Sequence, residues 1–314
     1  FFNWAFLWQI AGGLTPLDVL PDVEKIIKDN KAQLQECFAF AEGYQQFYEL
    51  LLEQADGFSI EPFYDKLPEA LRGYVELVYD VNNKPLIRCF EGLLYNSPYY
   101  KPELQSFGVY EITGDERSSI RSTPRLKNDY QFGFSMPFKE KALDELYKMR
   151  TEGGDLAVIK QKLGITDAQF DAFFTTEAPA HVGRRCSGEG VRVRYYGHAC
   201  ILIETNEVSL LVDPLISYDV GAEPGRLTLQ DLPEKIDYVL LTHSHSDHTV
   251  FETLLQIRHK VGQVVVPKGN SGYIADPSLK LILQHLGFDD VRDLDDMEEV
   301  AEEVDSSGIG SGDN

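Results

Sequence analysis

The stretch LTHSHSDHTV, residues 241 to 250, sets His243, His245, Asp247 and His248 within six consecutive positions of a chain that has only seven histidines. Neutral imidazoles and a carboxylate are donors for zinc, iron or manganese, so the chemistry this spacing suggests is metal ligation. In an HxHxDH loop, His243 and His245 can turn toward one ion while Asp247 and His248 are offset toward a second. Two such ions clamp a substrate oxygen and lower the pKa of a bridging water until it is hydroxide near neutral pH. The plain alternative is a polar loop that binds nothing. Four donors fixed between an apolar run and a helix argue against it.

The elements that must hold these residues are legible around them. The run IDYVLL reads as a buried strand ending at Thr242, and VFETLLQIRHK as the helix that follows. Strand ends in layered α/β domains are where sites are assembled. VRVRYYGHACILIET, EVSLLVDPLI and GQVVVP are further sheet-like runs, so a second domain is expected over 191–300. A Pro/Gly/basic connector, APAHVGRRCSGEG, precedes it. The linker is placed at 181–190, with His181 a solvated member.

Residues 1–180 read as a mixed α+β domain. PDVEKIIKDNKAQLQECFAFAEGYQQFYELLLEQAD has helical periodicity with Pro21 in the first turn, and Val75, Leu77 and Tyr79 alternate ahead of a turn at Asn82 and Asn83, predicting a hairpin. SFGVYEIT reads as a strand and GDERSSIRSTPRLKND as a long loop. KEKALDELYKMR, DLAVIKQKLG and ITDAQFDAFF read as helices, the last capped by Thr166 or Asp167. The tyrosines read as packing. His259 and His285 are expected to be helix-surface or packing residues.

VRYYGHACILIETNEVSLLVDPL followed by IDYVLLTHSHSDH resembles the first half of the metallo-β-lactamase superfamily, from about residue 190 to about 300. The resemblance implies an α/β fold, a partial αββα sandwich following the mixed N-terminal domain, with a mono- or dinuclear metal site at one edge. It implies that His243 and His245 ligate the first of two divalent ions, and Asp247 and His248 the second, with Asp247 counted among the catalytic residues. Asp213, at the end of SLLVDP, is implied as an outer residue orienting a ligand histidine. His198, in GHA, is implied as a buried structural or outer histidine.

The leading expectation is a metal-dependent hydrolase, with zinc-bound hydroxide attacking a carbonyl or phosphoryl centre. A second reading comes from the size of the domain placed before the GHA strand. GVRVRYYGHACILIET and DLPEKIDYVLLTHSHSDH also resemble the diiron β-hydroxylases of the chloramphenicol-biosynthesis type, which implies two irons, dioxygen, and an amino acid tethered to a carrier protein. A third reading is a catalytically inactive fragment.

The superfamily site takes further ligands from its second half, and no histidine follows His285. The end, DDVRDLDDMEEVAEEVDSSGIGSGDN, is acidic and then Gly/Ser-rich, so 301–314 is expected as an unstructured tail. From residue 190 there remain about 125 positions where about 200 are expected for such a sandwich. The opening FFNWAFLWQIAGG lacks an initiator Met. These features predict a chain cut from a longer protein, with weakened metal affinity.

Composition bounds the partners. Acidic residues outnumber basic ones 51 to 29, a formal net charge of −22, which repels nucleic acid phosphates and anionic membranes. The expected substrate is a small molecule or a carrier-tethered group. The opening apolar run is shorter than the roughly 20 residues of a membrane span. Cys37, Cys89, Cys186 and Cys200 form no CxxC pair and read as free thiols of a reducing cytoplasm. The sequence leaves the oligomeric state open.

Overall fold

The computed structural model describes residues 20–109, 111, 132–179, 182–219, 221, 225–269, 272–274 and 276–299. The opening apolar run, the polar run at 114–129, His181 and the tail at 301–314 lie outside the described residues.

Two helices begin the chain, α1 (Leu20–Gln33) and α2 (Gln35–Gln54). In α2, Cys37, Phe40, Tyr44, Phe47 and Leu51 recur every three or four residues and form its buried stripe. That stripe packs on a hairpin of β1 (Val75–Tyr79) and β2 (Pro85–Cys89), whose Leu77 and Ile87 face each other in register. The predicted turn is present. Asp80 Oδ1 accepts from the backbone N–H of Asn82 and Lys84, each at 2.8 Å, and Asn83 takes the positive φ, 61°, that asparagine tolerates.

After β2 the chain turns into a short helix, α3 (Glu91–Leu94). A second pair, β3 (Ser106–Val109) and β4 (Phe132–Ser135), joins α4 (Ala142–Lys148) and α5 (Leu156–Leu163) around Phe132, Leu143, Ile159 and Phe170. Asp155 caps α5 by accepting from two backbone N–H groups, and Gly164 ends it at φ 67°. The helix expected in ITDAQFDAFF is a 3-10 helix at Ala168–Phe173, capped by Asp167. The N-terminal region therefore has two small cores.

The C-terminal region carries one six-stranded sheet, built from β5 (Arg192–Gly197), β6 (Cys200–Glu204), β7 (Ser209–Val212), β8 (Ile236–Leu240), β9 (Val261–Pro267) and β10 (Val291–Leu294). Spatial order follows chain order. The β5–β6–β7 pairings are antiparallel and the β7–β8–β9–β10 pairings parallel, joined by α6 (Phe251–Ile257) and α7 (Leu279–His285). One face of the sheet is sealed by those helices: Tyr196, Leu202, Leu211, Val239 and Val264 pack with Leu254, Ile257, Leu279 and Leu283. The alternate residues look the other way. There, Val193 and Tyr195 are 62% and 63% exposed opposite Ile203 and Ile201.

The two regions interlock. Arg258, 5% exposed just after α6, donates to Asp144 Oδ1 at 2.8 Å and to the carbonyls of Phe138, Glu140 and Leu286. Glu91 accepts from the Ser278 backbone N–H at the start of α7, and Tyr95 stacks on His285 with ring centroids 3.8 Å apart. The connector is also stitched down. Gly183 N–H donates to the Gln230 carbonyl at 2.6 Å, a Cβ there would collide with the Asp231 carbonyl, and Arg185 pairs with Asp237 at 2.7 Å. No described helix is long and apolar enough to cross a membrane.

Candidate metal centre

Sheet topology brings distant residues to one edge. β5 and β7 run parallel to β8, so the β5–β6 turn, the end of β7 and the end of β8 lie side by side. His198 occupies the first, Asp213 the second, and Thr242 with the HxHxDH loop the third. The loop is tied to itself: Thr249 Oγ1 donates to the His243 carbonyl at 2.7 Å, and the His248 and Thr249 N–H groups donate to the His245 carbonyl. Ser244 adds a bond to Asp276 at 3.0 Å.

Asp213 organises the cluster from beneath. It is 1% exposed and has the positive φ of 39°. Its Oδ1 accepts the Thr242 N–H at 2.8 Å, and its Oδ2 accepts both the Thr242 hydroxyl at 2.6 Å and His248 Nδ1–H at 2.8 Å. A carboxylate only accepts, so the His248 proton sits on Nδ1 and the Nε2 lone pair is left for a ligand. The Thr242 hydroxyl spends its single proton on Asp213. It must therefore accept from His243 Nδ1, 2.9 Å away, which leaves His243 Nε2 free as well. One buried carboxylate thus sets the tautomers of two imidazoles. Thr242 escaped the sequence reading; its place directly before the first histidine was the available signal.

The imidazoles crowd together. Ring centroids of His243 lie 4.5 Å from His245 and 4.0 Å from His248, and His198 lies 5.0 Å from His248. His198 is exposed at the mouth of the site, where the sequence suggested a buried residue, because the turn that carries it projects past the sheet edge. Its Nε2 is 3.3 Å from Asp247 Oδ2. His198, Asp247 and His248 offer donor atoms within 4.8 Å of one another. His259 and His285 stand apart: His259 lies in the 258–260 turn, and His285 in the Tyr95 stack. Burial pushes the Cys200 thiol up to about 12, with the Asp213 charge adding to it, so Cys200 offers no thiolate here.

These residues fit a metal centre. Metal–donor bonds of about 2.0–2.2 Å put neighbouring donors about 3–3.6 Å apart, and Asp247 Oδ2 lies 3.9 Å from His248 Nε2, slightly wider than that spacing, so a small side-chain rotation brings the pair onto one ion. Two of the imidazoles already present an unprotonated nitrogen. The donor set of imidazole and carboxylate, without thiolate, suits iron, manganese or zinc.

Comparison with known proteins separates the sequence-based readings. Residues 192–301 match the beta-lactamase superfamily domain, and residues 15–179 match the diiron non-heme beta-hydroxylase N-terminal domain. The chain is 36% identical over 280 residues to the 4-amino-L-phenylalanyl CmlP-peptidyl-carrier-protein 3-hydroxylase of Streptomyces venezuelae, covering 85% of this chain and 52% of that protein. It is similar to the crystal structure of CmlA, a diiron beta-hydroxylase from Streptomyces venezuelae, with TM-score 0.74 and 33% identity over 90% of this chain and 53% of that one. A UPF0173 metal-dependent hydrolase from Lysinibacillus sphaericus is 31% identical over only 97 residues, 31% of this chain and 40% of its own. The chain spans about half the length of the hydroxylase relatives it matches. Hydrolase likeness covers 31% of this chain, whereas hydroxylase likeness covers 85% and runs through both regions, so the hydrolase and zinc expectations lose their support. With more than half of its length matched at residues 15–179, the chain belongs to the diiron non-heme beta-hydroxylase N-terminal domain family.

Proposed function

We propose that this chain is part of a diiron oxygenase that hydroxylates the β-carbon of an amino acid tethered to a carrier protein. The observation that carries this reading is the continuous 36% identity across 85% of the chain, which includes the N-terminal region as well as the metal loop. His243 and His245 hold one ion, and Asp247 and His248 the other. Bound there, a pair of irons supplies dioxygen activation. The residues around it do the rest: Asp213 keeps the His248 proton on Nδ1, Thr242 keeps the His243 proton on Nδ1, and the loop hydrogen bonds hold the donors at an open sheet edge.

An open edge suits a substrate delivered on a long arm. Among the described residues the Asp247 side chain is 54% exposed, so solvent reaches that carboxylate. The test is iron quantification, an optical spectrum and a hydroxylation assay on the longer parent protein, with aminoacyl carrier protein as substrate and intact-mass detection. Two irons and a carrier-bound product heavier by one oxygen atom are expected. Zinc with hydrolytic release of the aminoacyl group would overturn the reading.

A further inference from the structure

His198 belongs to neither the HxHxDH loop nor a strand, and its backbone carries a cost. It follows Gly197, φ 113°, in the two-residue turn between β5 and β6, and itself has φ 50°. A left-handed residue other than glycine costs on the order of 1–3 kcal/mol unless its surroundings impose it, and Asn or Gly is the cheap choice in such a turn. Its ring stands at the exposed mouth of the site, edge-on to His248 with centroids 5.0 Å apart, and outside the hydrophobic cores. The turn is nonetheless clamped, with the Tyr195 hydroxyl donating to the His198 carbonyl at 3.0 Å. A strained, clamped turn that offers its side chain to one carboxylate is the mark of a positioning device.

Asp247 needs one. His248 is oriented by Asp213 and His243 by Thr242, but no hydrogen bond holds the Asp247 carboxylate among the described residues. Its charged-group neighbours there are His198 at 3.3 Å and His248 at 3.9 Å. We propose that His198 is the positioning residue for Asp247: the Nε2–H of its ring faces Oδ2, fixing the carboxylate so that the other oxygen meets the ion. This rests on the reading that Asp247 and His248 hold an ion. Outer partners of this kind are worth about 10–100-fold in metal affinity.

The experiment titrates the chain with Co(II), following d–d absorption and chelator competition, alongside thermal melts. His198→Asn suits the left-handed turn but is too short to reach Asp247, and His198→Gln reaches it with an N–H. The expected result is an Asn variant that melts at or above the parent temperature yet binds its weaker Co(II) about 10–100-fold less tightly, with the Gln variant recovering most of the loss. An Asn variant with parent affinity and spectrum overturns the proposal. If the Gln variant is as weak as the Asn variant, with the same altered spectrum, His198 is a direct ligand and the positioning role is again overturned. An unsubstituted chain that takes up no ion at all defeats the metal-centre reading, and this role with it.

Discussion

Replacing Asp213 by Asn tests the tautomer argument with little else changed. Asn accepts the φ of 39° as readily as Asp and has the same shape, so the buried turn survives. If the amide oxygen keeps the Thr242 N–H bond, the amide NH2 lands where Oδ2 stood, facing two groups that were donating to it at 2.6 and 2.8 Å. The metal-free protein relieves this by moving the His248 proton to Nε2 and turning the Thr242 hydroxyl toward His243 Nδ1. Both shifts put protons on the nitrogens that should meet metal. Binding must then reverse them against a buried donor–donor contact, a penalty of about 1–3 kcal/mol for each unsatisfied group. Metal affinity should therefore fall about 10–100-fold, or about 1.4–2.8 kcal/mol, with the metal-free melting temperature almost unmoved. Chelator competition with Co(II) reads the first quantity and a thermal melt the second. Binding of both ions within about twofold of the parent by a folded variant, a change of about 0.4 kcal/mol, would refute the reasoning.

Thr242→Val removes the acceptor that orients His243 and one donor to Asp213, but leaves the Asp213–His248 bond in place, so metal titration should show one ion weakened by about tenfold and the other retained. Arg258→Met strands Asp144 in the interface and leaves carbonyls of three residues without their donor; urea unfolding should show a loss of about 3–5 kcal/mol, and a loss below about 1 kcal/mol would remove Arg258 as the clamp. Burial, helped by the charges of Lys260, Lys148, Arg258 and Arg150, lowers His259 to about 4 from the usual 6.5. The unfolded chain then binds more protons between about pH 4 and 6.5, so stability climbs with pH across that window. His259→Leu should flatten the climb by on the order of 1–2 kcal/mol, after discounting for partial exposure of the ring, and leave metal binding untouched.

Local features were legible in the sequence, and features made by chain crossings were not. The HxHxDH donors are read directly because one loop carries all four. The hairpin at Asn82–Asn83 is read because alternation and turn chemistry agree. His198 reaches Asp247 only because β5 and β8 end at the same sheet edge, and no window of sequence contains both. Nothing local marks Arg258, at the end of a helix, as buried, since guanidinium groups are seldom buried; three of its four partners come from a segment more than a hundred positions earlier and the fourth from the end of α7. The connector at 181–190 looked loose because its composition is that of a linker. Its order comes from the missing Cβ of Gly183, which lets backbone meet backbone at Asp231.

The side of the six-stranded sheet away from α6 and α7, uncovered among the described residues, sets how this chain behaves in a test tube. Val193 and Tyr195 lie on edge strand β5 and Val191 just before it, at 62–65% exposure, beside Ile203, which is 36% exposed. Apolar surface on a sheet edge invites pairing between molecules, and a net charge of −22 holds the molecules apart. The screening length shrinks from about 30 Å at 0.01 M salt to about 3 Å at 1 M. Colloidal behaviour should thus invert the common laboratory habit: light scattering will grow as sodium chloride is added, and dilute buffer will keep the chain dispersed.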